Sequence, residues 1–155
     1  MTNMEILYSF AKYIYDNNPT TIQIGYEGKN LENGATISET EEYINIVEGN
    51  GQNIIDRIGS SYVLKDFEIV AFLKYNKTGL FDSREILFQR FIEGIDTTLN
   101  DSFYFLEYDT LTSQFVQSSR KLYIDYTKVE SPVTAYSDDN TKSMFWVLNI
   151  THNNN

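Results

Sequence analysis

Apolar and polar residues alternate from 63 to 75, with Phe67, Ile69, Ala71 and Leu73 on one side at a period of two, a pattern that predicts a long central strand. After a turn over 76–80, Asp82 stands in a capping position, Glu85 follows three residues on, and Phe81 is placed to staple against Ile86. These mark a helix start. At about 100° per residue, Leu87, Phe88, Phe91, Ile92, Ile95 and Leu99 share one face, and Glu85, Gln89, Arg90, Glu93, Asp96 and Thr97 the other. A helix is therefore expected over 82–99 with its apolar face, Phe91 and Ile95 included, on the sheet that holds the central strand. At the start of the chain, Thr2, Asn3, Met4 and Glu5 form a second capping box, and the helix it opens is expected to stop at Asn17, Asn18 and Pro19. Ile6, Leu7, Phe10 and Ile14 make its main stripe, and Glu5, Ser9, Lys12 and Asp16 a narrow polar strip. Met4, Tyr8, Ala11 and Tyr15 add a second, largely apolar flank. That flank fits either a deeply buried helix or a contact with another subunit.

Residues 20–26 alternate Ile22, Ile24 and Tyr26 and predict a strand. The pattern then dissolves over 27–42 into a polar loop of about sixteen residues, long enough for a compact domain to be mobile or functional, and Glu39, Glu41 and Glu42 make its end acidic. Strands at 43–48 and 53–58 flank Gly49, Asn50 and Gly51, a hairpin signal, and Gly59, Ser60 and Ser61 turn the chain back into the central strand, giving a three-strand meander. Further strands are expected at 103–108, 122–128 and 142–151. The last has Met144, Trp146, Leu148 and Ile150 on one face and Phe145 and Val147 on the other. Between the final two strands, Glu130, Ser131 and Pro132 and then Ser137, Asp138, Asp139 and Asn140 read as a polar connection with turn chemistry. A disordered tail is expected over 152–155. No repeat or second domain is visible, so the expectation is an α+β fold: a single two-layer domain over 1–155, with a mixed, mostly antiparallel sheet and two main helices packed on one face.

A chain of 155 residues is one domain's worth and buries roughly 68–70% of the surface its unfolded form exposes. It has no cysteine, which excludes disulfides and thiolate chemistry. No Arg-rich or apolar leader opens it and no apolar run reaches the roughly 18 residues needed to span a bilayer, so the expectation is no membrane contact and a cytosolic place of synthesis. Twelve basic residues scattered among twenty-two acidic ones give a net charge of −10, which argues against nucleic-acid binding, because phosphate neutralisation needs clustered Lys and Arg.

The search for chemistry finds little. The single histidine, His152, lies at the expected frayed end, which leaves no His-based triad, zinc cluster or facial triad within one chain. Residues 137–140 are too short for a calcium loop and lack its bidentate Glu. Gly49, Asn50 and Gly51 are followed by neither a Lys-Ser/Thr pair nor a helix and form no phosphate cradle. Nothing singles out two of the many carboxylates as a glycosidase pair. Three matches to the N-glycosylation pattern, at Asn76, Asn100 and Asn149, carry no meaning without a secretion signal. The expectation is no enzyme, no catalytic residues, no cofactor and no metal.

The order of elements does resemble something: a capped N-terminal helix, a strand, a loop, a hairpin carrying Gly49 to Gly59, and an alternating strand ending Phe72, Leu73, Lys74 and Tyr75. A helix with Leu87 and Phe88 near its start and a closing aromatic strand through Phe145, Trp146, Val147 and Leu148 complete it. This order, over most of the chain, is similar to that of the phage minor capsid and tail terminator family, in pattern and length rather than in a signature motif. The resemblance implies a small α+β virion protein, assembled in the host cytoplasm and placed at the head-tail interface. There it would form a homo-oligomeric ring, typically a hexamer, that caps the tail tube protein and joins the head connector or head completion protein. It implies no catalytic residues. The polar loop over 27–42 and the Tyr and Asn content depart from the family's pattern. DNA would pass through such a ring without specific binding, and an acidic lumen suits passage because a basic one would hold phosphate. Six copies would carry about −60 in total.

On this reading the subunit interface is expected at Met4, Tyr8, Ala11 and Tyr15 on the first helix and at Phe145 and Val147 on the closing strand, since ring closure needs two distinct surfaces. Glu39, Glu41 and Glu42 are expected to face the channel or a docking partner. Two other classes fit the same composition. A small acidic immunity or inhibitor protein would bind a basic partner one to one with steered association, and an enzyme using two carboxylates would show a concave pocket with a raised carboxylate pKa.

Overall fold

The computed structural model describes residues 2–17, 22–38, 42–49, 54–58, 62–76, 83, 86, 90, 102–125, 133–136 and 141–153. In chain order its elements are α1 (Asn3–Asp16), β1 (Gln23–Tyr26), β2 (Lys29–Asn30), β3 (Tyr43–Glu48), β4 (Ile54–Ile58), β5 (Tyr62–Asn76), β6 (Ser102–Asp109), β7 (Gln114–Asp125), β8 (Val133–Tyr136) and β9 (Thr141–Asn153). The fold is thus mixed α and β and mostly strands. All nine described strands belong to one sheet, and every described pairing is antiparallel except that of β1 with β3. Of the second helix expected over 82–99, only Ser83, Ile86 and Arg90 are described, each in helical backbone. The rest of that stretch, and with it the packing expected of Phe91 and Ile95, lies outside the described residues.

The strand expected at 63–75 is β5, and it is central: it pairs with β9 from Leu64 opposite Asn153 to Asn76 opposite Thr141. Cross-strand rows on one face of the sheet make the core. One row runs Ile24, Ile44, Leu73, Met144 and the next Ile46, Ala71, Trp146, and all of these side chains are buried. Small Ala71 opposite the indole of Trp146 lets the widest side chain in the molecule lie across the sheet without forcing the strands apart.

Several expectations at the strands are corrected. β3 and β4 form no hairpin with each other around Asn50. Both pair antiparallel with β5, β3 along 69–74 and β4 along 62–66, so they lie in line on one side of a strand long enough to satisfy both. β4 and β5 pair with each other as antiparallel neighbours, from Ile58 opposite Tyr62 to Ile54 opposite Asp66. The polar connection after Pro132 contains β8, which pairs with β9 from Val133 opposite Phe145 to Tyr136 opposite Lys142. β7 begins at Gln114, well before the expected 122: among the described residues 114–121 pairs with β6 alone and β7 joins β9 at Tyr123, and a two-stranded extension of the sheet needs few apolar residues and leaves little periodicity. The tail expected to fray from 152 carries two more residues of β9, with His152 opposite Lys65. Residues 154 and 155 lie outside the described residues.

The polar segment after β1 is also more ordered than its composition suggests. Glu27 and Gly28 both take positive φ, 51° and 82°, which is the two-residue turn that matches strand twist, and β2 pairs back on β1 through it. The asparagines then do the work of a scaffold. The Asn30 side-chain oxygen accepts the Glu32 amide at 2.9 Å and that of Asn33 accepts the Ala35 amide at 2.9 Å, Asx turns that fold the chain locally. The segment returns over β1 so closely that a Cβ on Gly25 would clash with Ile37 Cδ1 and meet Asn45 Oδ1 at 2.9 Å. Gly25→Val is therefore expected to destabilise by about 1–3 kcal/mol through overpacking, read as a lower denaturant midpoint; Gly34→Ala, with nothing within 4 Å of the added Cβ but φ at +73°, pays only the backbone term.

α1 is capped as expected. The Thr2 hydroxyl accepts the Glu5 amide at 3.2 Å, and a Glu5 carboxylate oxygen accepts the Thr2 amide at 2.8 Å. Ile6, Leu7, Phe10 and Ile14 are buried on the core face. The helix also touches β1, β3 and β5 as well as β6, elements that stand at opposite ends of the strand order β2-β1-β3-β5-β9-β7-β6. Tyr8 shows the consequence: its ring meets Tyr26 of β1 edge-on at 5.7 Å and stacks on Phe115 of β7 at 3.8 Å. In a flat sheet β1 and β7 would be about 19 Å apart at roughly 4.8 Å per strand, so the sheet curls around α1.

Candidate interaction surfaces

The polar strip of α1 does not face solvent throughout. Ser9 is buried, donates its hydroxyl to the Glu5 carbonyl at 2.6 Å and accepts the Leu106 amide at 2.8 Å, and Glu5 accepts the Tyr108 amide at 3.0 Å. β6 ends the strand order, so these side chains satisfy backbone donors on a sheet edge that would otherwise recruit another strand. Only Lys12 and Asp16 remain as an exposed pair, at 3.0 Å.

Burial raises the Glu5 pKa, but hydrogen bonds from Tyr108 and Thr2 outweigh it and leave the group below its ordinary value of 4.5. A carboxylate with a lowered folded pKa contributes stability above the unfolded value and loses it as pH falls through the folded one. The clasp between α1 and β6 is thus expected to weaken below about pH 4.5, and Glu5→Gln to flatten that part of a plot of thermal midpoint against pH. An identical slope in both proteins would show that the clasp does not depend on the charge.

The flank expected on α1 divides in the structure. Ala11 is fully buried and belongs to the core, which takes it out of any contact surface; Met4 is 68% exposed, Tyr15 is exposed, and Tyr8 is half-buried between Tyr26 and Phe115. Two of these residues open onto a groove of about 490 Å³ at the start of the helix. It is lined by Met4, Tyr8, Tyr26, Tyr108 and Phe115 together with Glu5 and two threonines, Thr2 and Thr110. The Tyr108 ring completes an aromatic row, edge-on to Phe115 at 5.2 Å. Tyr26, Tyr108 and Phe115 were not legible as site residues, because nothing in the sequence places 26, 108 and 115 beside residue 8 until the sheet curls. The one available signal was the aromatic fraction, 15%.

On the sheet face turned away from α1 lie Phe145 and Val147, as the alternation of β9 requires. Both are half-buried, and their neighbours across β5 are Phe72 and Val70. The row continues to β3, where Val47 stands opposite Val70 and Tyr43 stacks on Phe72 at 5.9 Å. Toward β6 and β7 the same face carries Tyr104, Val116 and Tyr123, all exposed, with Lys121 over the Tyr104 ring at 5.1 Å. The tip of the β6–β7 hairpin presents Leu111 at 94% exposure. Asp109 shapes that tip by accepting the Leu111 amide and the Thr112 hydroxyl at 2.9 and 3.0 Å, bonds that hold its carboxyl below the usual value. This surface therefore has two apolar parts of different character, a valine and phenylalanine centre and an exposed tyrosine-rich end.

Of the expected channel or docking residues, Glu39 and Glu41 lie outside the described residues. Glu42 is half-buried beside β3, and its carbonyl accepts the Gln23 side-chain amide at 3.2 Å. No cluster of three or more His, Cys, Asp or Glu side chains suited to a metal occurs among the described residues, and no described helix is long and apolar enough to cross a membrane. The chain matches no family model and no curated protein.

Proposed function

We propose that the chain is a structural virion subunit of the tail terminator kind, one that closes into a ring, with six copies as the expected number, and joins a phage tail tube to the head connector. The observation that carries this reading is the pair of unlike apolar patches on the outer sheet face, Phe72 with Phe145 and Val147 at the centre and Tyr104, Val116 and Tyr123 at the β6–β7 end. A ring grows by heterologous contacts in which one patch meets a different patch on the next copy, and a chain of net charge −10 needs apolar surface to hold like-charged copies together. A second helix over 82–99 on the same sheet face as α1 belongs to this reading, since it leaves the outer face for a neighbour. So does an acidic lumen that passes DNA without holding it.

On this reading Phe145 and Val147 form the centre of the interface, whereas Met4 and Tyr15 stand on α1, on the other side of the sheet, and Tyr8 is packed between Tyr26 and Phe115. Negative-stain images of the purified chain added to purified tail tubes test the proposal. Rings seated on tube ends are the expected result, and bare tube ends at saturating protein contradict it.

A further inference from the structure

We propose that Asn33 is a site of self-modification: its side chain cyclises onto the Gly34 amide, loses ammonia and hydrolyses to aspartate or isoaspartate, and the second product opens the segment folded over β1. The chain has two Asn-Gly pairs, at 33–34 and 50–51, of which the second lies outside the described residues. In such a pair the following residue has no Cβ to shield its amide nitrogen. At Gly34 the space is open as well, with nothing within 4 Å of where a Cβ would stand.

Asn33 is exposed, and its Oδ1 accepts the Ala35 amide at 2.9 Å. That Asx turn closes a ring through the Gly34 peptide, which keeps Cγ beside the nitrogen that must attack it and polarises its carbonyl. Nδ2 of Asn33, the leaving group, makes no hydrogen bond among the described residues. Asn30 shows the contrast. Leu31 follows it, its Nδ2 donates to Gln23 Oε1 at 2.8 Å, and its Oδ1 accepts the Glu32 and Asn33 amides at 2.9 and 3.4 Å.

In the first step the Gly34 nitrogen gives its proton to water or hydroxide and attacks Asn33 Cγ. The new N–C bond forms, the Cγ–Nδ2 bond breaks, and Nδ2 takes up a proton and leaves as ammonia. Water then opens the cyclic imide, at Cγ to give aspartate or at the main-chain carbonyl to give isoaspartate. One water enters, one ammonia departs, and no electron is transferred.

The fold gates the first step, because the Gly34 N–H donates to the Asn30 carbonyl at 2.7 Å and must leave it before the nitrogen can react. That opening is local to the turn. Aspartate at 33 keeps the bond to Ala35 and adds a negative charge beside Glu32. Isoaspartate lengthens the main chain by one carbon, which the Asn30 amide on the Ala35 carbonyl at 2.7 Å and the Ile37 amide on the Gly28 carbonyl at 2.9 Å cannot both absorb. Ile37 then lifts from Gly25. The inference does not depend on ring formation, which uses the outer sheet face.

The test is incubation of the full chain in heavy-oxygen water, followed by peptide mapping that reads 33 and 50 separately. Conversion at 33 is expected as a mixture of aspartate and isoaspartate carrying one heavy oxygen, at a rate that rises with pH. In the isoaspartate fraction the Asn30 and Ile37 amides should lose protection against hydrogen exchange. Asn30→Ala, which removes the side-chain bonds that hold the turn, is expected to speed conversion about fivefold or more, and Gly34→Ala to stop it by shielding the nitrogen. The proposal is overturned if the folded chain is unmodified at 33 once the urea-unfolded chain has converted fully, if aspartate forms without isoaspartate, or if Gly34→Ala converts as fast as the unaltered chain. A folded Asn30→Ala chain with an unchanged rate would overturn the gate.

Discussion

Phe10→Ala is expected to destabilise the chain by about 3–5 kcal/mol, the usual cost of emptying a buried aromatic site. Phe10 lies in the middle of the core stripe of α1 and is fully buried; its ring packs against Phe103 of β6 at 5.7 Å and Tyr13 at 6.4 Å. Removing it takes away the transfer free energy of the ring and leaves a void where helix and sheet edge meet, a place that Ser9 and Glu5 hold at fixed distance from β6 by hydrogen bonds. That restraint limits collapse, so the upper part of the range is expected. For a domain of this length the thermal midpoint should fall by about 6 °C or more. Tyr15→Ala, on the exposed side of the same helix, is expected to stay within about 0.5 kcal/mol. Equal effects of the two substitutions would mean that α1 does not face the sheet as described.

The second large effect concerns assembly. Phe145→Glu together with Val147→Glu is expected to abolish ring formation while leaving the circular dichroism of the monomer unchanged. In β9 these side chains alternate with Met144 and Trp146, which are buried on the α1 side, so the substitutions add charge to the outer face and leave the core rows untouched. A central, desolvated contact residue is worth about 2 kcal/mol or more when truncated, and an unpaired buried carboxylate adds its own penalty. The loss recurs at every contact of a closed ring. Rings that persist in the double variant would place the subunit contact elsewhere.

Where the sequence was legible, a local rule and the tertiary contacts agreed. The capping box at Thr2 and Glu5 fixed the start of α1, and strict alternation fixed β5 and β9, because the core on one side of each strand selects a period of two. The first part of β7 and β8 were illegible for the opposite reason: among the described residues 114–121 and 133–136 are held by backbone pairing to one neighbour each, and such pairing leaves no apolar signature. The Asn50 turn signal misled because turn propensity is local, whereas the long edge of β5 takes β4 as its neighbour in sequence and offers β3 a partner at greater sequence distance. Helical spacing placed Ser9 on the polar strip of α1; the closeness of β6 makes its hydroxyl an acceptor for Leu106. The groove lay beyond any reading of spacing, since Tyr8, Tyr26 and Phe115 are joined by the curl of the sheet. The sheet face that Phe145 and Val147 occupy was read directly from the sequence, because in a strand the face opposite the core follows from the core itself.

The closed ring is tested most directly by the mass of the purified chain in solution, measured by light scattering across a concentration series. A single species of about 108 kDa, six times the 18.0 kDa chain, with annular particles in the same fraction, is the result the account predicts. An 18.0 kDa species at every concentration, with or without tail tubes, would contradict it.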